Sequence, residues 1–241
     1  MKNTESWKPT KFIYMANRWQ SDRSGKYVSP GSRYIAGIQI REYVRILERY
    51  ARGDLLDIGC GNVPLYGVYK DLVGSVTCVD WSNTLHKNVY LDYEMDLNER
   101  LSLEDGSFDT VVLTDVLEHI ADPALLLSEV ERILRRGGRA LITVPFFTWL
   151  HEVPHDYHRY TEFALRHYAN KAGLQVKELS PYGGSPEVLM DFIAKHLRFS
   201  KLFSATHNLV ANLLTNNAIS RKISLKTSKL FPLGYVLVLE K

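Results

Sequence analysis

Short apolar runs alternate with longer amphipathic segments through the middle of the chain. The apolar runs predict strands at residues 55–58, 75–80, 108–114 and 139–144. Apolar positions at helical spacing predict helices at 33–50 and 123–135, and a further helix is expected between the first two strands. Buried strands that alternate with helices are typical of parallel βαβ units. We therefore expect an α/β protein with a doubly wound, mostly parallel sheet.

The pattern continues beyond residue 145. A helix is predicted at 161–172, because Thr161 is a natural N-cap and Gly173 a natural stop. Further strands are predicted at 174–179 and 234–240. Residues 1–32 are polar and aromatic with several proline and glycine breakers, so we expect an irregular arm there.

Residues 185–231, called the insertion below, are too many for a simple loop. Helical patterns within the insertion lie at 186–199 and at about 207–221. We predict three parts of the chain: an N-terminal arm and helix at 1–52, a core at 53–184 and 232–241, and a helical cap formed by the insertion. The apolar stripes of the cap either pack on the sheet or face a lipid-linked or phosphorylated acceptor.

The composition bounds the class of protein. The 241 residues are 45% hydrophobic and 24% charged, close to globular averages, which excludes disordered, collagen-like and coiled-coil chains. No apolar stretch is long enough for a spanning helix or a signal peptide, so we expect a cytoplasmic protein. The two cysteines, Cys60 and Cys78, lack the spacing of a zinc site, and we expect reduced thiols and no bound metal.

The net charge of +3 conceals an uneven distribution. Residues 1–52 carry a balance of +7, residues 53–150 one of −9, and residues 151–241 one of +5. The basic ends are either ordinary solvated faces or attract phosphate-bearing partners and anionic membrane surfaces, in which case contact at the inner face of the membrane would be peripheral.

A glycine-rich turn follows the first predicted strand. Gly59-Cys60-Gly61 comes directly after Asp57-Ile58, and Asp80 ends the next strand. Glycines let the backbone approach a ligand, and an acid at the end of the second strand can accept hydrogen bonds from a ribose diol. Pro64 stands where a dinucleotide fingerprint needs a third glycine, and the lysine of a phosphate loop is absent. The turn therefore predicts an adenosine-containing cofactor without a pyrophosphate.

Several further marks occur in order along residues 53–180. They are Asp96-Leu97, Gly106-Ser107-Phe108-Asp109, Val116-Leu117-Glu118-His119-Ile120 with Asp122-Pro123, and Leu134-Arg135-Arg136-Gly137-Gly138. Together with the glycine turn, they make the chain similar to the class I S-adenosylmethionine-dependent methyltransferases, in the small-molecule subgroup. The resemblance implies a Rossmann-like sheet of seven strands and S-adenosyl-L-methionine as cofactor.

The resemblance also implies a set of cofactor-binding residues. Asp57, Gly59, Cys60 and Gly61 would line the methionine end of the cofactor. Asp80 would bind the ribose, with Trp81 beside it, and Asp96 with Leu97 would meet the adenine. The segment from Asp115 and Val116 to His119 would border the cofactor near the sulfonium.

A polar segment, Trp149 to Thr161, follows the strand at 139–144. Its His151-Glu152-Val153-Pro154-His155 matches a zinc-protease pattern, but Pro154 disfavours the helix that this pattern requires. Because ligands bind at the carboxyl ends of parallel strands, we expect this segment to form a wall of the acceptor pocket. The segment also resembles part of bacterial methyltransferases encoded with glycan-assembly enzymes.

A hydroxyl acceptor needs a base, and histidine has a suitable pKa. His155 with Asp156 nearby is the first candidate for the base, and His158 is the second. Alternatively, these side chains only cap the following helix. Arg159 could pair with an acceptor phosphate, with Asp156 or with Glu162.

The sequence therefore predicts an S-adenosylmethionine-dependent methyltransferase that O-methylates a saccharide or another small hydroxyl metabolite in polysaccharide biosynthesis. The alternatives are N-methylation of an amino sugar, methylation of a lipid quinone, and a non-catalytic cofactor-binding regulator. The acceptor could be phosphorylated or lipid-linked. We expect no nucleic-acid partner.

Overall fold

The computed structural model describes residues 1–81, 89–196, 210–211, 213–215 and 217–241. Its strands are β1 (Phe12–Met15), β2 (Arg18–Ser21), β3 (Asp54–Ile58), β4 (Ser75–Asp80), β5 (Tyr93–Glu94), β6 (Phe108–Thr114), β7 (Leu134–Pro145), β8 (Gln175–Tyr182) and β9 (Gly234–Glu240). Its helices are α1 (Arg33–Tyr50), α2 (Tyr66–Tyr69), α3 (Pro123–Ile133), α4 (Glu162–Lys171), α5 (Ser185–His196) and α6 (Ala218–Thr227).

Seven strands form the main sheet, in the order β5-β4-β3-β6-β7-β9-β8. Adjacent strands are parallel except that β9 runs antiparallel to both of its neighbours. The chain moves outward from β3 to β4 and β5, and then returns to place β6 on the other side of β3. Ligands of open α/β sheets bind at such a switch point, and the predicted doubly wound fold with seven strands is confirmed.

Both faces of the sheet are buried, because alternate residues of each strand enter different cores. Leu56 and Ile58 pack with α3 and α4, whereas Leu55 packs with α1 and α2 on the opposite face. This two-sided burial explains why the strands appear in the sequence as continuous apolar runs.

The N-terminal arm is more regular than predicted. Strands β1 and β2 pair as an antiparallel hairpin, where we expected irregular structure. The hairpin turn consists of Ala16 and Asn17, both with positive φ (52° and 59°). Such turns are usually marked by glycine, so the sequence carried no strong turn signal here.

Some predicted helix boundaries were wrong. Helix α3 ends at Ile133, before the predicted end at 135, because Leu134 already pairs with Phe108 in the sheet. The helix expected between the first two predicted strands, α2, is a single turn. In the insertion, part of the helix predicted at 207–221 lies outside the described residues. Asn217 then caps a new helix, α6, so the predicted end at 221 falls inside α6. None of the helices in the described part of the chain is long and apolar enough to span a bilayer.

Candidate functional site

The glycine turn and the end of β4 meet at the carboxyl edge of the sheet. The Asp80 carboxylate accepts hydrogen bonds from the backbone N–H of Gly61 and from that of Trp81, both at 2.7 Å. The amide of Gly59 donates to the Val79 carbonyl at 2.8 Å. These bonds hold the carboxylate of Asp80 at the turn. A carboxylate oxygen can accept more than one hydrogen bond.

Gly59 cannot be replaced without strain. Its φ is +66°, and a Cβ atom there would lie 2.6 Å from a Cγ atom of Val116. The turn after β3 therefore packs directly on the segment after β6. This contact brings two of the predicted cofactor segments together, while Cys60 between the glycines is buried.

Asp57 lies near the end of β3, on the side of the sheet that carries α2. Its side chain is buried and accepts a 2.6 Å hydrogen bond from the hydroxyl of Tyr69 on the α2 side. Burial raises the pKa of Asp57, the Tyr69 hydrogen bond lowers it, and the charge of Asp80 raises it further, to about 7. The carboxyl group is thus poised to change its charge near neutral pH.

The segment after β5 presents one polar and one apolar side chain. Asp96 is exposed and accepts hydrogen bonds from the backbone and side-chain nitrogens of Asn98 at 2.9 and 3.0 Å. Leu97 is buried in the core. An exposed carboxylate beside an apolar residue can receive a heterocycle that carries an amino group.

Asp115 is held by side chains from two other elements. Tyr43 and Gln39 of α1 donate to its Oδ2 at 2.6 and 2.7 Å, and Thr143 of β7 donates to its Oδ1 at 3.2 Å. Asp115 also has a positive φ of 54°. These contacts fix the beginning of the turn that carries Val116 and His119.

His155 lies against the end of β4. Its ring packs edge-on against the Trp81 ring with centroids 4.9 Å apart, and its Nδ1 is 3.1 Å from the Tyr157 hydroxyl. The described structure thus brings the first predicted base next to the predicted cofactor segment. His158 is less accessible: its Nε2 is buried and has no hydrogen-bond partner among the described residues.

We expected Asp156 to lie near the His155 ring, but its partners are Arg159 and His151. Its two carboxylate oxygens accept a bidentate pair of bonds from Arg159 at 2.6 and 2.7 Å, and Oδ2 also accepts from the His151 backbone at 2.9 Å. Burial raises the pKa of Asp156, but these bonds outweigh burial and hold it at about 2. Arg159 is therefore bound to Asp156. Asp156 contacts His151 and not His155 because the turn at 151–155 places His151 next to the carboxylate.

Sequence reasoning missed a cluster of Glu118, His119 and His151. Glu118 is fully buried, and its Oε1 lies 3.7 Å from the Nε2 atoms of both histidines. Burial raises the pKa of Glu118. The Val116-to-Ile120 motif contained Glu118 and His119, but no spacing signal linked them to His151, which is more than 30 residues away along the chain.

Comparison with known proteins decides the family. A profile of the Methyltransferase domain family matches residues 56–142. A ubiquinone biosynthesis O-methyltransferase from Xanthomonas euvesicatoria is 30% identical over 200 residues, which cover 70% of this chain and 81% of the relative. The chain belongs to the class I S-adenosylmethionine-dependent methyltransferases.

Solved structures show the same fold at lower sequence identity. A methyltransferase from Archaeoglobus fulgidus aligns with a TM-score of 0.54 at 19% identity, over 83% of this chain and 90% of that one. A phospholethanolamine N-methyltransferase from Haemonchus contortus, in complex with S-adenosylhomocysteine, aligns with a TM-score of 0.55 at 19% identity, over 88% of this chain and 56% of that one.

The methyltransferase described here is therefore an enzyme that uses S-adenosyl-L-methionine. The edge of its sheet fits that cofactor, because Asp80 is fixed by backbone amides at the switch point and the glycine turn leaves backbone without a Cβ beside it.

Proposed function

We propose that this methyltransferase O-methylates a hydroxyl group of an amphipathic small molecule, with a lipid-linked aromatic hydroxyl as the first acceptor class. The proposal rests on the conformation of the β7–α4 loop, residues 146–161. The loop brings His155 to Trp81 and also exposes several apolar side chains.

In this proposal Asp57, Gly59, Cys60 and Gly61 border the methionine end of the cofactor, Asp80 and Trp81 the ribose, Asp96 and Leu97 the adenine, and Asp115, Val116 and His119 the sulfonium side. S-adenosylmethionine supplies an electrophilic methyl group when bound. The residues of the chain orient the cofactor and the acceptor, and they exclude water from the reacting atoms.

His155 is proposed as the base that takes the proton of the acceptor hydroxyl. In this proposal the Nδ1–H of His155 donates to the Tyr157 hydroxyl, 3.1 Å away, so that Nε2 is the atom that receives the proton. A positioned base contributes to the rate because a hydroxyl is a weak nucleophile before its proton is removed. Asp156 and His158 support the loop in this proposal, through the Arg159 pair and the packing of His158 on Tyr160.

An apolar surface next to His155 favours an acceptor with a hydrophobic portion. Leu150 and Val153 of the loop are 73% and 72% exposed, and Trp149 and Tyr157 are also exposed. The surface continues into the insertion, because Phe147 packs against Phe231 with ring centroids 6.0 Å apart. The Xanthomonas relative is named as a ubiquinone biosynthesis O-methyltransferase, which supports the same class of acceptor.

The insertion extends this surface with basic and apolar residues. We call this part the α6 face; its exposed apolar members are Ile219, Ile223, Leu225, Leu230 and Phe231, and its basic members are Arg221, Lys222, Lys226 and Lys229. Basic residues among exposed apolar side chains favour contact with an anionic membrane surface, which would bring the enzyme to a lipid-linked acceptor.

A saccharide is the second candidate acceptor. The polar residues of the loop favour it, since His155 and Tyr157 could hydrogen-bond to sugar hydroxyls. The basic charge of the C-terminal part of the chain would suit a phosphorylated sugar.

The acceptor classes can be separated with labelled S-adenosylmethionine. We expect label to enter a polyprenylated catechol in anionic vesicles, and sedimentation with those vesicles at low salt but not at high salt. A Lys222→Glu/Lys226→Glu variant should lose sedimentation, whereas Lys70→Glu/Lys171→Glu, with the same change of charge elsewhere, should keep it. Label in nucleotide sugars and none in the catechol would establish the saccharide class instead.

The proposed ribose contact predicts a cofactor-binding defect. Asp80→Ala should weaken S-adenosylmethionine binding by about ten- to a hundred-fold, because charge-assisted hydrogen bonds contribute roughly 1.5–3 kcal/mol. Isothermal calorimetry measures this change, and Asp71→Ala, at an exposed acid, is the matched control. Unchanged affinity in a folded Asp80→Ala protein would remove Asp80 from the site.

A further inference from the structure

Glu118 is a buried carboxylate without the partners that burial normally requires. It lies in the turn between β6 and α3 and is 0% exposed. Neither of its carboxylate oxygens has a hydrogen-bond partner among the described residues. Leaving a carboxylate desolvated and unbonded is costly, so such a group needs a cation close to it.

Two imidazole nitrogens face this carboxylate. The Nε2 atoms of His119 and His151 each lie 3.7 Å from Oε1 of Glu118, which is longer than a hydrogen bond. One ligand atom from each of the three residues lies within 4.8 Å of the others. Three ligands of these types around one point are a donor set for a divalent metal ion.

The other nitrogen of each ring has an acceptor beside it. Nδ1 of His119 is 2.7 Å from the His155 carbonyl oxygen. Nδ1 of His151 lies 3.3 Å from the Trp149 carbonyl and 3.4 Å from Oδ2 of Asp156. Because these oxygens can only accept, each Nδ1 carries a proton, and Nε2 is the ring atom that faces Glu118 and can bind a metal ion in place of a proton. Metal-binding histidines are oriented in this way, with the second nitrogen bonded to a carbonyl or a carboxylate.

We propose that Glu118, His119 and His151 bind one divalent transition-metal ion of the zinc type. Zinc bonds to histidine nitrogen and carboxylate oxygen are about 2.0–2.2 Å long, which places tetrahedral ligands about 3.3 Å apart. The observed distances of 3.7 Å from Oε1 of Glu118 to the two Nε2 atoms are about 0.4 Å longer than that value. Two nitrogen ligands favour zinc over magnesium or calcium, which prefer oxygen.

The site has an open side. Three protein ligands leave a fourth position, as in catalytic zinc sites, and the exposed Glu152, with Oε2 4.0 Å from Nε2 of His119, borders it. The two segments that form the site are tied together, since the amides of Tyr157 and His158 donate to the Glu118 carbonyl at 2.9 and 3.2 Å. The metal would thus lie between the turn after β6 and the β7–α4 loop.

This location gives the metal a role that rests on the proposed function. A metal ion that binds the acceptor hydroxyl lowers the pKa of that hydroxyl and fixes its oxygen. The hydroxyl proton then passes to His155 and the oxygen electron pair forms the bond to the methyl carbon, while the electrons of the broken carbon–sulfur bond stay on sulfur. A catechol, with two adjacent oxygens, can chelate such an ion.

Metal binding can be tested without any acceptor. Untagged full-length protein, stripped with a chelator, should bind one equivalent of Zn²⁺ by calorimetry, and Co²⁺ should give the intense visible bands of a four-coordinate site. His151→Ala and Glu118→Gln should weaken Zn²⁺ binding by about 100-fold or more, beyond the effect of losing an outer-shell partner. His167→Ala, at an exposed histidine on α4, should leave binding unchanged.

The result that overturns the site is Zn²⁺ affinity in a folded His151→Ala protein equal to that of the wild type, or no stoichiometric binding by the wild type. His151 is partly exposed, so this variant remains informative even where Glu118→Gln does not fold. Turnover of the chelated enzyme that returns with Zn²⁺ supports the role in the reaction. A stoichiometric Zn²⁺ site in a protein that methylates none of the proposed acceptors refutes the proposed function and leaves the metal site standing.

Discussion

We expect His155→Ala to lower turnover by about 10²–10⁴-fold while S-adenosylmethionine affinity stays nearly unchanged, because a general base acts on the acceptor and not on the cofactor. The substitution keeps the His155 carbonyl that accepts from His119, since this contact belongs to the main chain. Single-turnover kinetics with a hydroxyl acceptor, together with cofactor calorimetry, measure the two quantities separately.

The matched control is His167→Ala, which removes an imidazole from the exposed side of α4 and should keep full activity. If His155→Ala retained the wild-type rate on a hydroxyl acceptor, the base would have to be His158 or water. A smaller loss on an amine acceptor is expected, because a neutral amine needs no base before it attacks.

Asp57→Asn should change how stability depends on pH. The folded-state pKa of Asp57 is raised from 3.8 to about 7, so between pH 4 and 7 the unfolded chain has lost a proton that the folded chain keeps. The free energy of unfolding of the wild type therefore falls as pH rises through this range, by up to about 4 kcal/mol, and this contribution is constant above pH 7. The asparagine variant lacks it.

Urea denaturation of both proteins at a series of pH values, without cofactor, measures the difference. We expect Asp57→Asn to gain stability relative to the wild type as pH rises from 4 to 7. Asp71→Asn, at an exposed site, should follow the wild-type curve. Parallel curves for the wild type and Asp57→Asn would show that Asp57 titrates normally.

Features set by local sequence were predictable. Gly59 and Gly61 come just after β3, and Asp80 is the last residue of β4. Strand ends of a parallel sheet meet at one edge, so the proximity of these residues follows from the fold. The N-cap of α4 was also predictable from local sequence, because the Thr161 side chain accepts a hydrogen bond from a backbone amide only three residues further along the chain.

Contacts set by loop conformation were not predictable. Asp156 is close in sequence to both His151 and His155, so the conformation of the turn at 151–155 decides which histidine it contacts. The approach of His151 to Glu118 depends on two loops that pack together across the end of the sheet. The β1–β2 hairpin escaped prediction because its turn uses positive φ at residues other than glycine.

The segment between β8 and β9 starts and ends at one point of the sheet, where the amide of Leu233 donates to the Tyr182 carbonyl at 2.9 Å. Its two ends are therefore joined by sheet pairing whatever lies between them, and lengthening such a loop adds little entropic cost. During divergence this segment can be exchanged or rebuilt as a unit while the strands around it keep their register. If the insertion contacts the acceptor, as proposed, acceptor preference can change by replacement of this one segment while the strands that carry the proposed cofactor residues stay as they are.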